Sequence, residues 1–200
     1  STGVVGSTDR YLVEEANKGV REPAEKPLRS VIHCSGNHRP YAIPVDNRGF
    51  QRREVDPQQL RDHGFIDIDE FNSFRFLDHS IGVFLEMAKK ESYFENTVFL
   101  FYGDNGTPGR VKHMPDAEEL LGLGAHHTPF VIYGPGVLPG PREIGTPAGQ
   151  CDVMPTVAGL VGSSCVNTAL GRNVLDPSIR GDRNYVFIQM ALGPATRVLA

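Results

Sequence analysis

An α/β layered domain with a largely parallel central sheet is the fold class this sequence predicts. Two observations predict it. Short β-rich apolar runs alternate with helical patterns along the chain, and polar, turn-rich loops follow two of those runs, at His38 and at Asp104. In sheets of this kind ligands lie beyond the carboxyl ends of parallel strands, so both loops are candidate site elements.

The first helix is expected from Asp9 to Val20, where Tyr11, Leu12, Ala16 and Val20 share one face. Thr8 or Asp9 supplies the N-cap, Glu14 and Glu15 lie toward the positive end, and Pro23 and Pro27 stop the helix. Leu28 to Cys34 reads as a buried strand that empties into the turn-rich loop Ser35-Gly36-Asn37-His38-Arg39-Pro40. From Pro44 to His63 the chain is charged and rich in turns, with at most a short helix around Pro57 to Asp62.

The strongest helical pattern starts near Asp67 or Asp69 and runs to Lys90. Phe71, Phe74, Leu77, Ile81, Phe84, Leu85 and Ala88 recur there at three- and four-residue steps, a stripe that belongs against a sheet. Thr97 to Tyr102 is apolar on both alternating faces, as a central parallel strand covered on both sides would be, and Gly103-Asp104-Asn105-Gly106 ends it. A short helical stretch around Ala117 to Leu121 precedes a second strand, Phe130 to Tyr133. A helix from about Asp152 to Leu160 and a late strand, Tyr185 to Gln189, complete the pattern. The Gly/Pro-rich piece from Gly134 to Pro147 reads as a long exposed loop within one domain.

Bulk numbers narrow the function classes. A net charge of −4, mixed in sign along 200 residues, offers no basic face to nucleic acid or anionic lipid. The longest apolar runs are far too short to span a bilayer, so the chain itself reads as soluble. Cys34, Cys151 and Cys165 are too few and too scattered for a disulfide framework and read as core fillers. The sequence contains no Gly-x-Ser-x-Gly elbow, no phosphate-binding Gly-x-x-x-x-Gly-Lys loop and no Gly-x-Gly-x-x-Gly fingerprint, which disfavours a serine hydrolase, an NTPase and a dinucleotide enzyme.

Asp104 is the best single candidate, a carboxylate on a rigid strand end between two glycines that suits a divalent metal. An Asp-Asn-Gly turn of purely local purpose fits the same spacing. His126 and His127 stand at the start of the second strand, where an imidazole can bind metal or merely cap the strand; His113, in the preceding loop, is open to the same two readings. His38 with Asn37 and Arg39 forms a donor cluster suited to an anionic phosphate or sulfate oxygen, although a solvated turn fixed by Pro40 would look alike. His33 reads as a core residue and His79 as a packed or solvent-facing one.

In order, Ser35-Gly36-Asn37-His38-Arg39-Pro40-Tyr41, Phe74 to Ser80, Gly103-Asp104-Asn105-Gly106, His127 to Gly136 and Gln150 to Thr156 resemble the lipoteichoic acid synthase-like sulfatase family. That family of hydrolases and phosphoglycerol transferases lies within the alkaline phosphatase superfamily. The resemblance implies a three-layer sandwich incomplete on its N-terminal side, with residues 1–200 forming the C-terminal part of one catalytic domain. It implies a divalent metal, manganese or zinc, and a threonine or modified nucleophile upstream of everything matched, so no catalytic residue is assigned within this chain and the chain alone is expected to be inactive.

By the same resemblance the family's Asp-His-Gly metal motif falls on Asp104, Asn105 and Gly106, with asparagine in place of the histidine. A neutral amide oxygen is a weaker ligand than imidazole for a zinc-like ion. His127 maps to a ligand or a neighbour of one, and His38 to the histidine that meets the substrate's anionic head. Gly3 to Asp9 resembles a family segment that usually carries a tryptophan, and this chain has none. The implied substrates are phosphate or sulfate esters, among them head groups of envelope lipids, with no nucleic acid and no membrane contact by this segment. The implied location is an extracytoplasmic domain of a membrane-anchored protein. A non-catalytic relic that binds anions or a partner is the alternative.

Overall fold

The computed structural model describes residues 2–3, 6–7, 9–21, 28–107, 109–164, 166–179, 185–189 and 196–199. The chain divides into two compact units, residues 1–139 and 140–200, and the division falls inside the Gly/Pro-rich piece between Gly134 and Pro147.

In the first unit, β1 (Thr2–Gly3) and β2 (Gly6–Ser7) pair antiparallel, and α1 (Asp9–Arg21) follows directly. The buried face of α1 is Asp9, Val13 and Asn17, at steps of four residues, while Tyr11 of the expected face is 49% exposed. The polar members are buried because each has a partner: Asn17 Oδ1 accepts the Tyr93 hydroxyl and Asp9 holds the loop described below. Residues 28–34 form no strand. A strand requires a ladder, and no described segment pairs with this one; Val31 is 70% exposed and His33 is exposed rather than in a core. Only Ile32 of this stretch packs on the core of the unit.

α2 (Pro57–Asp62) begins with proline at its first position, and Asp56 caps it by accepting from Gln58 N and Gln59 N at 2.8 and 3.2 Å. Asp67 likewise caps α3 (Ile68–Ala88), accepting from Glu70 N at 2.8 Å. The buried side of α3 is Glu70, Asn72, Ser73, Phe76, Ser80, Phe84 and Ala88. That side is rotated from the apolar stripe, because the N-terminal half of α3 buries polar groups that bind loops. Phe71 and Phe74 pack instead edge-on to Phe65, with ring centres 5.3 and 5.6 Å away. His79 lies against Phe50 and Phe76, with Nε2 buried and without a hydrogen-bond partner.

β3 (Phe99–Tyr102) pairs with β4 (Phe130–Tyr133) antiparallel, from Phe99 opposite Tyr133 to Tyr102 opposite Phe130. For this pair the expected parallel arrangement is corrected. The short α4 (Asp116–Leu120) lies in the connection, which is too irregular to form a regular crossover helix. Val13, Phe84, Ala88, Phe94 and Phe99 form the core, with Phe101 and Tyr133 packed against it. The α/β class stands, with helices α1 and α3 packed together and the β3–β4 ladder against their apolar face.

In the second unit, α5 (Val153–Leu160) is followed by β5 (Val186–Gln189) and β6 (Thr196–Leu199), an antiparallel pair. Buried Asp152 ties its start together, accepting from Gly149 N and Arg172 N, both at 2.7 Å. Cys151 is exposed and Cys34 half-buried, so neither is the core filler expected, and Cys165 lies outside the described residues.

Gly82 sits in the interior of α3, and a Cβ built there would meet nothing within 4 Å. Gly82→Ala is therefore expected to raise stability by about 0.5–1 kcal/mol, read as a higher denaturation midpoint with an unchanged slope.

Candidate functional site

The Ser35 to Tyr41 loop is held from two sides. From α1, the Asp9 carboxylate, 1% exposed, accepts from Ser35 N at 2.9 Å and from Gly36 N at 3.0 and 3.1 Å. Gly36 permits this approach, since a Cβ on it would stand 2.1 Å from Asp9 Oδ2. From α3, Ser73 Oγ lies 2.8 Å from Gly36 O and 3.0 Å from Asn37 Oδ1, and its one proton serves one of them at a time. Glu70 accepts the Tyr41 hydroxyl at 2.9 Å and Ile66 N at 2.7 Å. Ser35 O accepts from His38 N, and His38 O from Tyr41 N, each at 3.0 Å.

At the tip, His38 and Arg39 are exposed. His38 Nδ1 lies 2.8 Å from Arg39 O, and a carbonyl only accepts, so Nδ1 carries a proton and Nε2 is left for a ligand. The Arg39 guanidinium sits 5.8 Å from the centre of the Tyr41 ring. Asn37 is half-buried, its amide oxygen engaged by Ser73.

Burial pushes the Asp9 carboxyl above its ordinary range, while the Ser35 and Gly36 N–H groups pull the other way. Burial, with the Asp9 charge adding to it, pushes the Cys34 thiol up to about 11, which leaves it unreactive at neutral pH. Asp9, Glu70 and Ser73 were not singled out for the site by sequence reasoning. The signal was present as polar residues at helical spacing, Glu70 and Ser73 one turn apart beside a candidate loop, but nothing in the pattern says which polar residues are buried.

The antiparallel ladder builds the second group. With Tyr102 opposite Phe130, the end of β3 and the start of β4 lie at one end of the pair, whereas parallel strands would separate them. Asp104 and Asn105 thus come to the turn that carries His126 and His127. Gly103 N donates to Pro129 O at 3.3 Å and Gly106 N to Ala125 O at 2.8 Å. Packing at Gly106 is so close that a Cβ would stand 2.1 Å from Gly124 O and 2.9 Å from His127 O. Asp104, Asn105, His126 and His127 are all exposed, as is His113.

Asp104 Oδ1 accepts from the N–H of the next residue, Asn105, at 2.9 Å, a bond within the turn. Asn105 Nδ2 donates to Gly106 O at 3.0 Å, which leaves Oδ1 as the amide atom for a cation. Among the described residues no group of three or more His, Cys, Asp or Glu side chains is gathered to hold a metal ion. The His38 loop and the Asp104 turn rest on different supports, the first on α1 and α3, the second on the entrance to β4.

Comparison with known proteins gives these loops a context. The chain is 24% identical over 116 residues to the ulvan-active sulfatase of Formosa agariphila, covering 58% of this chain and 19% of that protein. It is 26% identical over 171 residues to the lipoteichoic acid synthase-like YvgJ of Bacillus subtilis, covering 78% and 26%, and 25% identical over 183 residues to the lipoteichoic acid synthase of Staphylococcus aureus, covering 82% and 27%. The chain therefore spans about a fifth to a quarter of the length of these relatives.

Among solved structures, an alkaline phosphatase superfamily protein of Vibrio parahaemolyticus superposes with a TM-score of 0.72 at 23% identity, over 95% of this chain and 42% of that one. The lipoteichoic acid synthase LtaP of Listeria monocytogenes superposes with a TM-score of 0.65 at 22% identity, over 88% of this chain and 44% of that one. These likenesses show that the chain shares the fold of those two proteins. The sulfatase family model matches residues 4–163, a span that holds both loops, and the chain belongs to the sulfatase family.

Proposed function

We propose that this chain is part of a catalytic domain that hydrolyses or transfers phosphate or sulfate esters. His38, Asn37 and Arg39 meet the anionic head of the substrate. Asp104, Asn105 and His127 contribute some of the ligands of a divalent cation, manganese or zinc, whose ligand set these residues do not complete. The observation that carries the reading is the family match over residues 4–163, within which the Asp104 turn is fastened to the turn that carries His127.

What the chain's own groups can do follows from their chemistry. With Nδ1–H committed to Arg39 O, His38 offers an N–H at Nε2 to an ester oxygen when the ring is doubly protonated. The Arg39 guanidinium beside it supplies a permanent positive charge, and charge-assisted bonds of this kind suit phosphate and sulfate oxygens. Phosphoglycerol groups of envelope lipids are one candidate substrate, polysaccharide sulfate esters another; the relatives named above include a lipoteichoic acid synthase and an ulvan-active sulfatase. An extracytoplasmic location goes with this reading. Among the described residues no helix is long and apolar enough to cross a membrane.

A second reading is favoured by one specific observation. Asn105 stands where the family resemblance places a histidine, and Asp104 gives an oxygen to its own turn, as a relic that binds anions without turnover would allow.

The test measures dissociation constants of inorganic phosphate and sulfate for the 200-residue chain. His38→Ala is expected to weaken the tighter of the two by about tenfold, the loss of roughly one charge-assisted bond. Binding that is undetectable, or unchanged in His38→Ala, would refute the anion site. The chain alone is expected to leave aryl phosphate and aryl sulfate esters intact, and turnover would show that it carries a nucleophile of its own.

A further inference from the structure

We infer that Asp9 is a positioning residue for His38. It sets the shape of the Ser35 to Tyr41 loop through the N–H groups of Ser35 and Gly36, while Ser73 and Glu70 fix the far side, so that the imidazole is presented to an ester oxygen in one orientation. The inference deepens the proposed anion site and rests on it for its functional meaning.

Three observations carry it. First, Asp9 is buried to 1% exposure, and its carboxylate accepts from the backbone of a loop 26 and 27 residues away. A buried carboxylate is costly unless hydrogen-bonded, and among the described residues the side-chain bonds of Asp9 go to that loop. Second, Gly36 is matched to it. Any side chain there would drive a carbon to 2.1 Å from Asp9 Oδ2, so carboxylate and glycine form a pair that must change together. Third, the loop is clamped at other points by side chains from a second helix: Ser73, 2% exposed, at Gly36 and Asn37, and Glu70, also 2% exposed, at Tyr41.

Apolar packing could not satisfy the Ser35 and Gly36 N–H groups, whereas the buried carboxylate both satisfies them and fixes where they lie. What the buried polar side chains add is a fixed backbone geometry beneath the exposed pair His38 and Arg39. That is the support a binding side chain requires when it must sit within a fraction of an ångström of its ligand.

The test uses the full chain, isotope-labelled, with Asp9→Ala, Asp9→Asn, Gly36→Ala and the double variant Asp9→Ala/Gly36→Ala. One readout is hydrogen-exchange protection at Ser35 and Gly36 together with the His38 ring resonances. A second is inorganic phosphate affinity. Asp9→Ala is expected to lose protection at both amides, to shift and broaden the His38 ring signals, and to weaken phosphate about tenfold while α3 stays protected, since one tenfold step is the net worth of about one hydrogen bond.

Gly36→Ala is expected to do the same with Asp9 intact. Asp9→Asn, which keeps one acceptor oxygen, should recover part of the loss, and the double variant should be no worse than the poorer single one, because the two act on one contact. Unchanged His38 ring signals and phosphate affinity in both single variants would overturn the inference. If phosphate fails to bind the unaltered chain but the ring signals still respond to Asp9, the anion reading falls and the positioning role stands.

Discussion

Phe99→Ala is expected to destabilise the first unit by about 3–5 kcal/mol, the largest stability change predicted for any single site in the chain. Phe99 is where the two layers of that unit meet. Its ring lies 5.9 Å from Phe84 of α3, 5.7 Å from Phe94 in the turn before β3, and 6.0 Å from Tyr133 of β4. Truncation removes all three ring pairs and leaves a cavity that the rigid ladder cannot collapse to fill. Domains of this size are stable by only about 5–15 kcal/mol, so a loss of this order takes much of the margin.

The measurement is urea unfolding followed by the helical signal, with the midpoint lowered and the slope kept. A loss below about 1 kcal/mol would mean that the core does not pass through Phe99. The consequence reaches the candidate site: β3 leads into the Asp104 turn, and β4 follows the turn that carries His127, so a weakened ladder should loosen both turns.

How much of this was legible beforehand depended on what kind of signal carried each element. Period and capping placed the helices well. The long pattern near Asp67 gave α3 from Ile68 to Ala88 with Asp67 as its cap, and Pro57 to Asp62 was recovered as α2. Local punctuation likewise placed β3, β4 and β5, since glycine and asparagine clusters end apolar runs whatever those runs pair with.

Pairing was not legible. The direction of β3 against β4 is a non-local fact, and an apolar run that fits a parallel strand fits a buried antiparallel one as well. Residues 28–34 look like a strand by composition and form none, because strand formation belongs to the partner as much as to the segment. The supports of the His38 loop were hidden for another reason. Asp9 reads as a helix cap, and Glu70 and Ser73 read as the polar side of an amphipathic helix; only the fold shows that these polar residues are the buried ones. The candidate residues His38 and Asp104 drew attention because they stand in loops with distinctive neighbours, whereas the scaffold that holds those loops gave no such signal.

Asn105→His is expected to strengthen manganese or zinc binding by at least the 10–100-fold that the loss of even an outer partner of a metal ligand costs. An imidazole nitrogen is a stronger donor for these ions than an amide oxygen, and it would stand beside the Asp104 carboxylate on a turn already fixed by Gly106 N to Ala125 O at 2.8 Å. The backbone needs no rearrangement to carry it. Asn105 is exposed, and the side-chain bond it forfeits, Nδ2 to Gly106 O, is a local one.

Titration calorimetry of the full chain and its Asn105→His and Asp104→Ala/Asn105→His variants reads the outcome. Gain in the single variant and loss of that gain in the double one would identify the Asp104 turn as a depleted metal site, and would favour the ester-cleaving domain over the relic. The absence of metal binding in all three forms would count against any metal role for this turn. Only the His38 loop would then keep a proposed ligand, the anion.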